Sequence, residues 1–128
     1  MSISNFFGKS STAKITQGIN LVALAAALIA IAQDPEKAAE FGLDGVVHGI
    51  TVYALRNETT LEATIGASAL NILRIGALYA GLTGDCSSAP RSALVIDTVF
   101  HLWNFFYSLI LDTKNQEDQP QTSAVTPN

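Results

Sequence analysis

Long apolar runs without charged side chains divide the chain. Residues 15–33 contain no charged side chain in nineteen positions. Residues 63–84 contain one, Arg74, in twenty-two positions, and residues 92–111 contain one acid, Asp97, in twenty. A helix needs roughly 20 residues to cross a hydrocarbon core of about 30 Å, so three runs reach the spanning length. A fourth uncharged run, residues 45–55, reaches it only if its helix extends toward Phe41 and Asn57.

Residue types and breaks favour helices in these runs. The first run is rich in Ala and Leu, which are strong helix formers. It ends at Asp34-Pro35, and Pro90 suits the first turn of the last helix. Small residues would let neighbouring helices approach closely; they are Ala23, Ala27, Ala30, Gly66, Ala69, Gly76, Ala77 and Ala80.

The pattern therefore predicts an all-α, four-helix transmembrane bundle over residues 15–111. Residues 1–14 form a separate N-terminal segment. Residues 112–128 hold two prolines and only two aliphatic side chains, so we expect a disordered polar tail there. No internal repeat is evident in the sequence. The expected location is a membrane crossed several times, in an organelle that the sequence does not identify.

Two other interpretations of the apolar runs stay open. A soluble helical domain is one, because the mean hydropathy of +0.31 is modest and two runs carry a charge. A cleaved secretory signal is the other. Lys9 and Lys14 precede the first run, which closes on Ala30-Ile31-Ala32, a pattern typical of a cleavage site. The first run is, however, longer than a usual signal core.

Composition narrows the function classes. Hydrophobic residues make up 48% of the chain and charged residues 14%, against about 25% charged in soluble domains. The formal charge of −4 argues against a nucleic-acid partner, because no basic face could neutralise phosphates. Cys86 is the single cysteine, which excludes a disulfide framework within the chain and a multi-cysteine zinc site. No nucleotide-binding or nucleophile motif occurs, and we expect no cofactor.

Polar residues inside the apolar runs form three stripes at helical spacing. An ionisable group at membrane depth costs a few kcal/mol, so each stripe is expected to face inward. The first stripe is Asp97, His101, Asn104 and Ser108; the second is Thr64, Ser68, Asn71 and Arg74; the third is Asp44, His48 and Thr51. Together they predict a polar interior.

The stripes suggest acid–base chemistry. Asp97 lies one turn before His101 and could fix the tautomer of its imidazole, as a proton-transferring base requires. Arg74 could neutralise Asp97 or hold an oxyanion of a ligand. The sequence leaves open whether the protein is an enzyme; if it is one, His101, Asp97 and Arg74 are the predicted catalytic residues. Further ligand-binding side chains are His48, Asn71, Tyr79 and Asn104.

A structural interpretation of the same residues stays open. Arg74 and Asp97 could form a buried bridge that only holds helices together. A metal site made of His48, His101 and Asp97 can be imagined, but no spacing signature supports it, and the sequence predicts no metal ligands.

Three short segments resemble a group of small membrane proteins. The segments are DPEKAAEFGL (34–43), LRIGALYAGL (73–82) and PRSALVIDTVFHL (90–102). They are similar to small integral membrane proteins of bacteria and fungi, of unknown function, with about four helices. The matching positions are Pro35, Phe41-Gly42, Arg74, Gly76, Tyr79 and Arg91. The resemblance implies a membrane location and an important Arg74, and it implies no activity. The longer stretch 44–70 departs from that pattern.

The sequence thus predicts a small integral membrane protein with a polar intramembrane cluster. The first functional hypothesis is an accessory or binding protein for a lipophilic small molecule. A membrane-embedded isomerase or cyclase of lipophilic-metabolite biosynthesis is the second, with His101 as base, Asp97 as its orienting group and Arg74 as oxyanion partner. The third is a small subunit of a larger membrane complex or a homo-oligomer. The lipid bilayer is the expected partner in all three.

Overall fold

Four helices make up the fold in a computed structural model. The structure describes residues 6–57, 59–84 and 90–118, with side chains up to residue 110. The helices are α1 (Ser11–Gln33), α2 (Ala38–Ala54), α3 (Leu61–Gly84) and α4 (Arg91–Asp118), and a 3-10 turn, Pro35–Lys37, lies between α1 and α2. All regular structure in these residues is helical, so the prediction of four helices is confirmed.

Short polar residues and prolines set the helix boundaries. The Ser10 side chain accepts a hydrogen bond from Ala13 N at 3.0 Å and caps α1. Pro35 follows the last turn of α1 and opens the 3-10 turn, since proline cannot continue the hydrogen-bond ladder. Thr60 caps α3 through Ala63 N at 3.3 Å. The carbonyl of Pro90 accepts from Leu94 N at 3.1 Å, which places Pro90 at the start of α4 as predicted.

The helices alternate in direction and form two hairpins. α1 packs along α2, and α3 packs along α4. α2 and α3 join the hairpins through a smaller contact, and α1 and α4 meet least. Trp103 Nε1 donates to Thr16 Oγ1 at 2.9 Å, so α1 and α4 are tied near the start of α1 and the end of the apolar part of α4. The bundle is therefore closed on this side at one end only.

The distribution of side chains is the reverse of that in a water-soluble bundle. Large apolar residues lie outside, with Val22 of α1 71% exposed and Leu73 of α3 69% exposed. The three polar stripes face inward: each of their residues is buried, except Asp97, which is partly exposed. α1, α3 and residues 91–110 of α4 are long and apolar enough to cross a membrane, judged by length and composition.

Two of the helices differ in extent from the sequence-based expectations. α2 begins at Ala38, earlier than expected, and ends at Ala54. Its 17 residues span about 25 Å at 1.5 Å per residue. The backbone of α4 continues to Asp118, so residues 112–118 are helical rather than part of a disordered tail. Extending an existing helix needs no new nucleus, which favours this continuation. Residues 119–128 lie outside the described part of the chain.

A buried glutamine fastens the segment before α1 to α2. Gln17 donates from Nε2 to the carbonyls of Phe6 (2.9 Å) and Val52 (3.0 Å), and its Oε1 accepts from Gly8 N at 2.9 Å. A Cβ atom at Gly8 would lie 2.7 Å from the Leu55 carbonyl oxygen and would also collide with Ala13. Gly8 is therefore required by the close approach of two backbones.

We expect Gly8→Ala to lower the stability of the fold by about 1–3 kcal/mol, because the added methyl group overpacks a backbone contact. The measurement is thermal unfolding of the detergent-solubilised chain, followed by circular dichroism. Gly18→Ala is the matched control: no other group lies within 4 Å of a Cβ there, and alanine in a helix interior should raise stability by about 0.5–1 kcal/mol. Equal effects of the two changes would contradict the assignment.

Candidate functional site

A hydrogen-bonded cluster of polar side chains fills the centre of the bundle. Each of the four helices contributes to it. The polar cluster, as named here, consists of Asn20 of α1, Asp44 and His48 of α2, Asn71 and Arg74 of α3, and Asp97, His101 and Asn104 of α4. Asn20, His48, Asn71 and His101 are completely buried. Such a cluster must satisfy its own hydrogen bonds, since no solvent reaches most of its atoms.

The two histidines lie at its centre, stacked face to face. Their ring centroids are 4.4 Å apart and the rings are inclined by 25°. His48 Nδ1 lies 2.7 Å from Asn20 Oδ1, and His101 Nδ1 lies 2.6 Å from Asn71 Oδ1. Each imidazole therefore meets an amide oxygen with its Nδ1 atom.

The asparagine orientations fix the Nδ1 protons. Asn20 Nδ2 donates to the carbonyl of Thr16 at 2.8 Å, and Asn71 Nδ2 donates to the carbonyl of Ala67 at 2.7 Å. A carbonyl oxygen only accepts, so each amide must turn its Oδ1 toward the histidine. Asn104 Nδ2 donates to both of these oxygens, at 2.7 and 3.2 Å. Both Nδ1 atoms are thus hydrogen-bond donors.

The Nε2 atoms of both histidines face carboxylates of the opposite hairpin. His48 Nε2 lies 2.9 Å from Asp97 Oδ1, and His101 Nε2 lies 2.9 Å from Asp44 Oδ1. The contacts within each helix are longer, at 3.4 Å for His48 with Asp44 and 3.4 Å for His101 with Asp97. The predicted pair of Asp97 and His101 is therefore present, at 3.4 Å. Each of these residues makes a shorter contact, at 2.9 Å, with a residue of α2: Asp97 with His48, and His101 with Asp44.

Arg74 pairs with an acid other than the predicted one. Its Nε donates to Asp44 Oδ1 at 2.8 Å. The prediction that Arg74 neutralises Asp97 is wrong in this respect, because α3 packs directly against α2 at this level and brings Asp44 into reach. The polar cluster holds two carboxylates and one guanidinium, which leaves a formal charge of −1 when both imidazoles are neutral.

The two hairpins contribute equivalent residues. Asp44 and His48 of α2 correspond to Asp97 and His101 of α4, within DGVVHGIT (44–51) and DTVFHLWN (97–104). The preceding helices each supply an asparagine to the histidine of their own hairpin, Asn20 and Asn71. The sequence analysis found no internal repeat, and this is wrong for the site, because a D-x3-H motif occurs in both hairpins.

An apolar cavity of about 280 Å³ adjoins the carboxylate side of the cluster. It lies where α1 and α4 diverge, opposite the end closed by Trp103. Its apolar lining includes four alanines of α1, Ala23, Ala26, Ala27 and Ala30, together with Phe41, Leu94, Ile96 and Phe100. Glu40, Asp44, Arg74 and Asp97 form its polar wall. Of the three that belong to the polar cluster, Asp97 has the most exposed side chain, at 19%.

The small residues of α1 thus act differently from what the sequence predicted. Ala27 does allow α1 to pack closely against Gly45 of α2: a Cβ atom added at Gly45 would lie only 3.4 Å from the Ala27 Cβ. Ala23, Ala26 and Ala30 instead leave space toward α4 and line the cavity.

Most predicted site residues meet in the polar cluster. His101, Asp97, Arg74, His48, Asn71 and Asn104 all belong to it. Tyr79 does not, because its side chain points away from the bundle axis and is 68% exposed. Asn20 and Asp44 complete the cluster and were absent from the predicted site. The D-x3-H spacing shared with Asp97 and His101 is the signal that could have added Asp44.

Comparison with known proteins gives no match to a family model, to a curated sequence or to a solved structure. The site has to be interpreted from its own chemistry.

We expect Asp44→Asn to destabilise the fold more than Asp97→Asn. Asp44 accepts from both Arg74 and His101 at short distance, whereas Asp97 has one short contact, to His48. Removing the partner of a buried cation costs about 3–5 kcal/mol. Thermal unfolding in detergent measures the difference. Asp34→Asn, which alters only an exposed ion pair at 3.4 Å, is the control and should change little. A larger loss for Asp97→Asn would contradict this hierarchy.

Proposed function

We propose that the chain is an integral membrane protein that binds a lipophilic small molecule in the cavity between α1 and α4. The observation that carries the proposal is the composition of the cavity wall. One side is made of alanines and large apolar side chains, and the other presents Glu40, Asp44, Arg74 and Asp97. Apolar pockets with a few convergent polar groups are typical of small-molecule sites.

The membrane location rests on the outward apolar surface. Contiguous exposed apolar surface of this kind is unfavourable in water, and a buried cluster of charged groups would gain little there. In lipid the outward apolar surface is favourable, and ionisable groups are tolerated where they face inward and pair with one another. A soluble bundle would show the opposite distribution, so the membrane interpretation is the better supported of the two.

α1 belongs to the functional fold in this proposal. It supplies Asn20 to His48, and its Thr16 accepts from Trp103. Removing α1 as a cleaved signal would leave a buried imidazole proton without its acceptor and would delete one wall of the cavity. Such an unsatisfied buried donor costs about 1–3 kcal/mol.

The charge of the polar wall favours a particular head group. Three carboxylates, those of Glu40, Asp44 and Asp97, line the cavity with one guanidinium, so the wall accepts hydrogen bonds better than it donates them. We therefore expect the bound molecule to carry a hydroxyl or amine group at one end of an apolar body. A carboxylate or phosphate would face net repulsion at Asp97.

Acid–base catalysis on such a molecule is the second candidate. The observation that favours it is the continuous chain from the cavity through a carboxylate to an imidazole, since a proton taken from a bound substrate could pass along it. The roles differ from the predicted ones. His101 is completely buried, so Asp97, in the cavity wall, would be the group that meets the substrate, and His101 and His48 would lie behind it. The isomerase or cyclase hypothesis still rests on acid–base catalysis, with Asp97 in place of His101 as the group that meets the substrate.

Lysine substitutions distinguish lipid from water around the bundle. Leu73 is 69% exposed at the middle of α3, and Leu61 is 41% exposed at its start. In a membrane, Leu73→Lys should lower the inserted fraction, because a central lysine costs about 2.5–3.5 kcal/mol on insertion scales. Leu61→Lys should be tolerated, since its amine can reach the interface.

Carbonate extraction of cell membranes measures this effect. The wild-type chain and Leu61→Lys are expected in the membrane pellet, and Leu73→Lys in reduced amount. Recovery of the wild-type chain in the carbonate supernatant, or improved soluble yield of Leu73→Lys, would contradict the membrane proposal.

Filling the cavity tests small-molecule binding. The probes are long-chain alcohols and amines that carry a photoactivatable diazirine, compared with the matching hydrocarbon and fatty acid. We expect the alcohol and amine to label wild-type protein in detergent, with the label on peptides from α1 and α4. Ala26→Leu should reduce labelling at least about fivefold, because its side chain would occupy the cavity.

Ala25→Leu is the matched control for this experiment. It adds the same group on an exposed face of α1 outside the cavity lining and should leave labelling unchanged. Equal labelling of the two variants, or equal labelling by hydrocarbon and alcohol, would contradict the proposed site.

A further inference from the structure

Two carboxylates and two imidazoles converge at one point of the polar cluster. Asp44, His48, Asp97 and His101 each offer one ligand atom, and these four atoms lie within 4.8 Å of one another. His48 Nε2 and His101 Nε2 lie 2.9 and 3.4 Å from Asp97 Oδ1, and they lie 3.4 Å from Asp44 Oδ2 and 2.9 Å from Asp44 Oδ1, respectively. A tetrahedral zinc ion with bonds of about 2.0–2.1 Å would hold its ligand atoms about 3.3 Å apart. The nitrogen–oxygen separations lie on either side of that value, and any pair as far apart as the 4.8 Å limit would have to move closer for all four atoms to meet one ion.

The histidine tautomers suit metal binding. Both Nδ1 atoms donate to amide oxygens whose orientation is fixed by Asn20 and Asn71. A neutral imidazole protonated at Nδ1 carries its lone pair on Nε2, and both Nε2 atoms point to the convergence of the carboxylates. A hydrogen bond from the second ring nitrogen is the usual support of a metal-bound histidine.

A metal-free state that satisfies both short Nε2–carboxylate contacts must hold two additional protons, on the rings or on the carboxylates. Each Nε2–carboxylate hydrogen bond needs one proton. If both protons reside on the rings, two imidazolium ions stack with centroids 4.4 Å apart beside Arg74. One divalent cation can replace those two protons at unchanged net charge, and it bonds to all four groups at once. This exchange removes the repulsion between the stacked rings.

We propose that Asp44, His48, Asp97 and His101 bind one divalent first-row transition-metal ion, with zinc as the best fit to two nitrogen and two oxygen ligands. The donor set excludes calcium and magnesium, which take oxygen ligands in larger number. Arg74 holds the Asp44 carboxylate in place from outside the ligand set, through its 2.8 Å hydrogen bond. From the sequence, a metal site of His48, His101 and Asp97 can be imagined without a spacing signature to support it, and the fold brings Asp44 to the same point.

The site adjoins the cavity but does not depend on it. Asp44 and Asp97 are the ligands that border the cavity, so a molecule bound there would place its polar end beside the ion. Metal binding requires only the four side chains and their asparagine supports. Failure of small-molecule binding would therefore leave this proposal intact, and the reverse also holds.

Metal analysis of the full-length chain tests the proposal. The protein is purified in detergent without chelator, and its metal content is measured by plasma mass spectrometry. We expect about one zinc or other first-row transition ion per chain in the wild type. His48→Gln and His101→Gln should each lose most of it. Asp34→Asn, which removes an exposed carboxylate, and Ala26→Leu, which fills the cavity, should keep it.

Cobalt provides a readout that does not depend on the variants folding. The wild-type chain is stripped with chelator, and Co²⁺ is titrated back. We expect visible absorption bands of tetrahedral cobalt that saturate at one equivalent and disappear on adding Zn²⁺, and a higher unfolding temperature with Zn²⁺ than with Mg²⁺. Less than about a tenth of an ion per chain, together with no cobalt bands and no stabilisation by Zn²⁺, would overturn the proposal.

Discussion

Polar contacts hold the centre of this bundle together, because its large apolar side chains face outward. In the membrane setting proposed above, the surrounding lipid offers no hydrogen bonds, so each buried polar atom needs a partner within the protein. Asn20 and Asn71 meet this requirement for the two imidazoles and are themselves held by backbone carbonyls of their own helices. The orientation of two amides therefore determines which ring nitrogen of each histidine meets the carboxylates, and that nitrogen is Nε2.

The same constraint explains where the cavity lies. Trp103 and Thr16 tie α1 to α4 at one end, and the alanines of α1 leave space at the other. Larger side chains there would close the bundle and cover Asp97. The apolar cavity and the polar cluster thus share one wall, and a molecule that enters between α1 and α4 meets carboxylates before it meets any imidazole.

The helices and the inward direction of the polar stripes could be predicted from the sequence, since both follow from local periodicity. Charge-free runs located α1, α3 and α4, and helical spacing placed His48, Asn71 and His101 on buried faces. The pairing of charges could not be predicted, because it depends on which helices adjoin at a given level. Periodicity also could not separate Tyr79, a polar residue on an outward face, from the cluster residues.

The duplicated Asp–His arrangement has a consequence for how such a chain could arise. Each half contains two antiparallel helices, so the ends of both halves lie at the same end of the bundle. Copying and joining one two-helix ancestor would need no reversal of orientation, unlike the inverted halves of many transporters. A pair of identical hairpins, related by an axis along the helices, could already have assembled the four-residue centre before the two copies became one polypeptide.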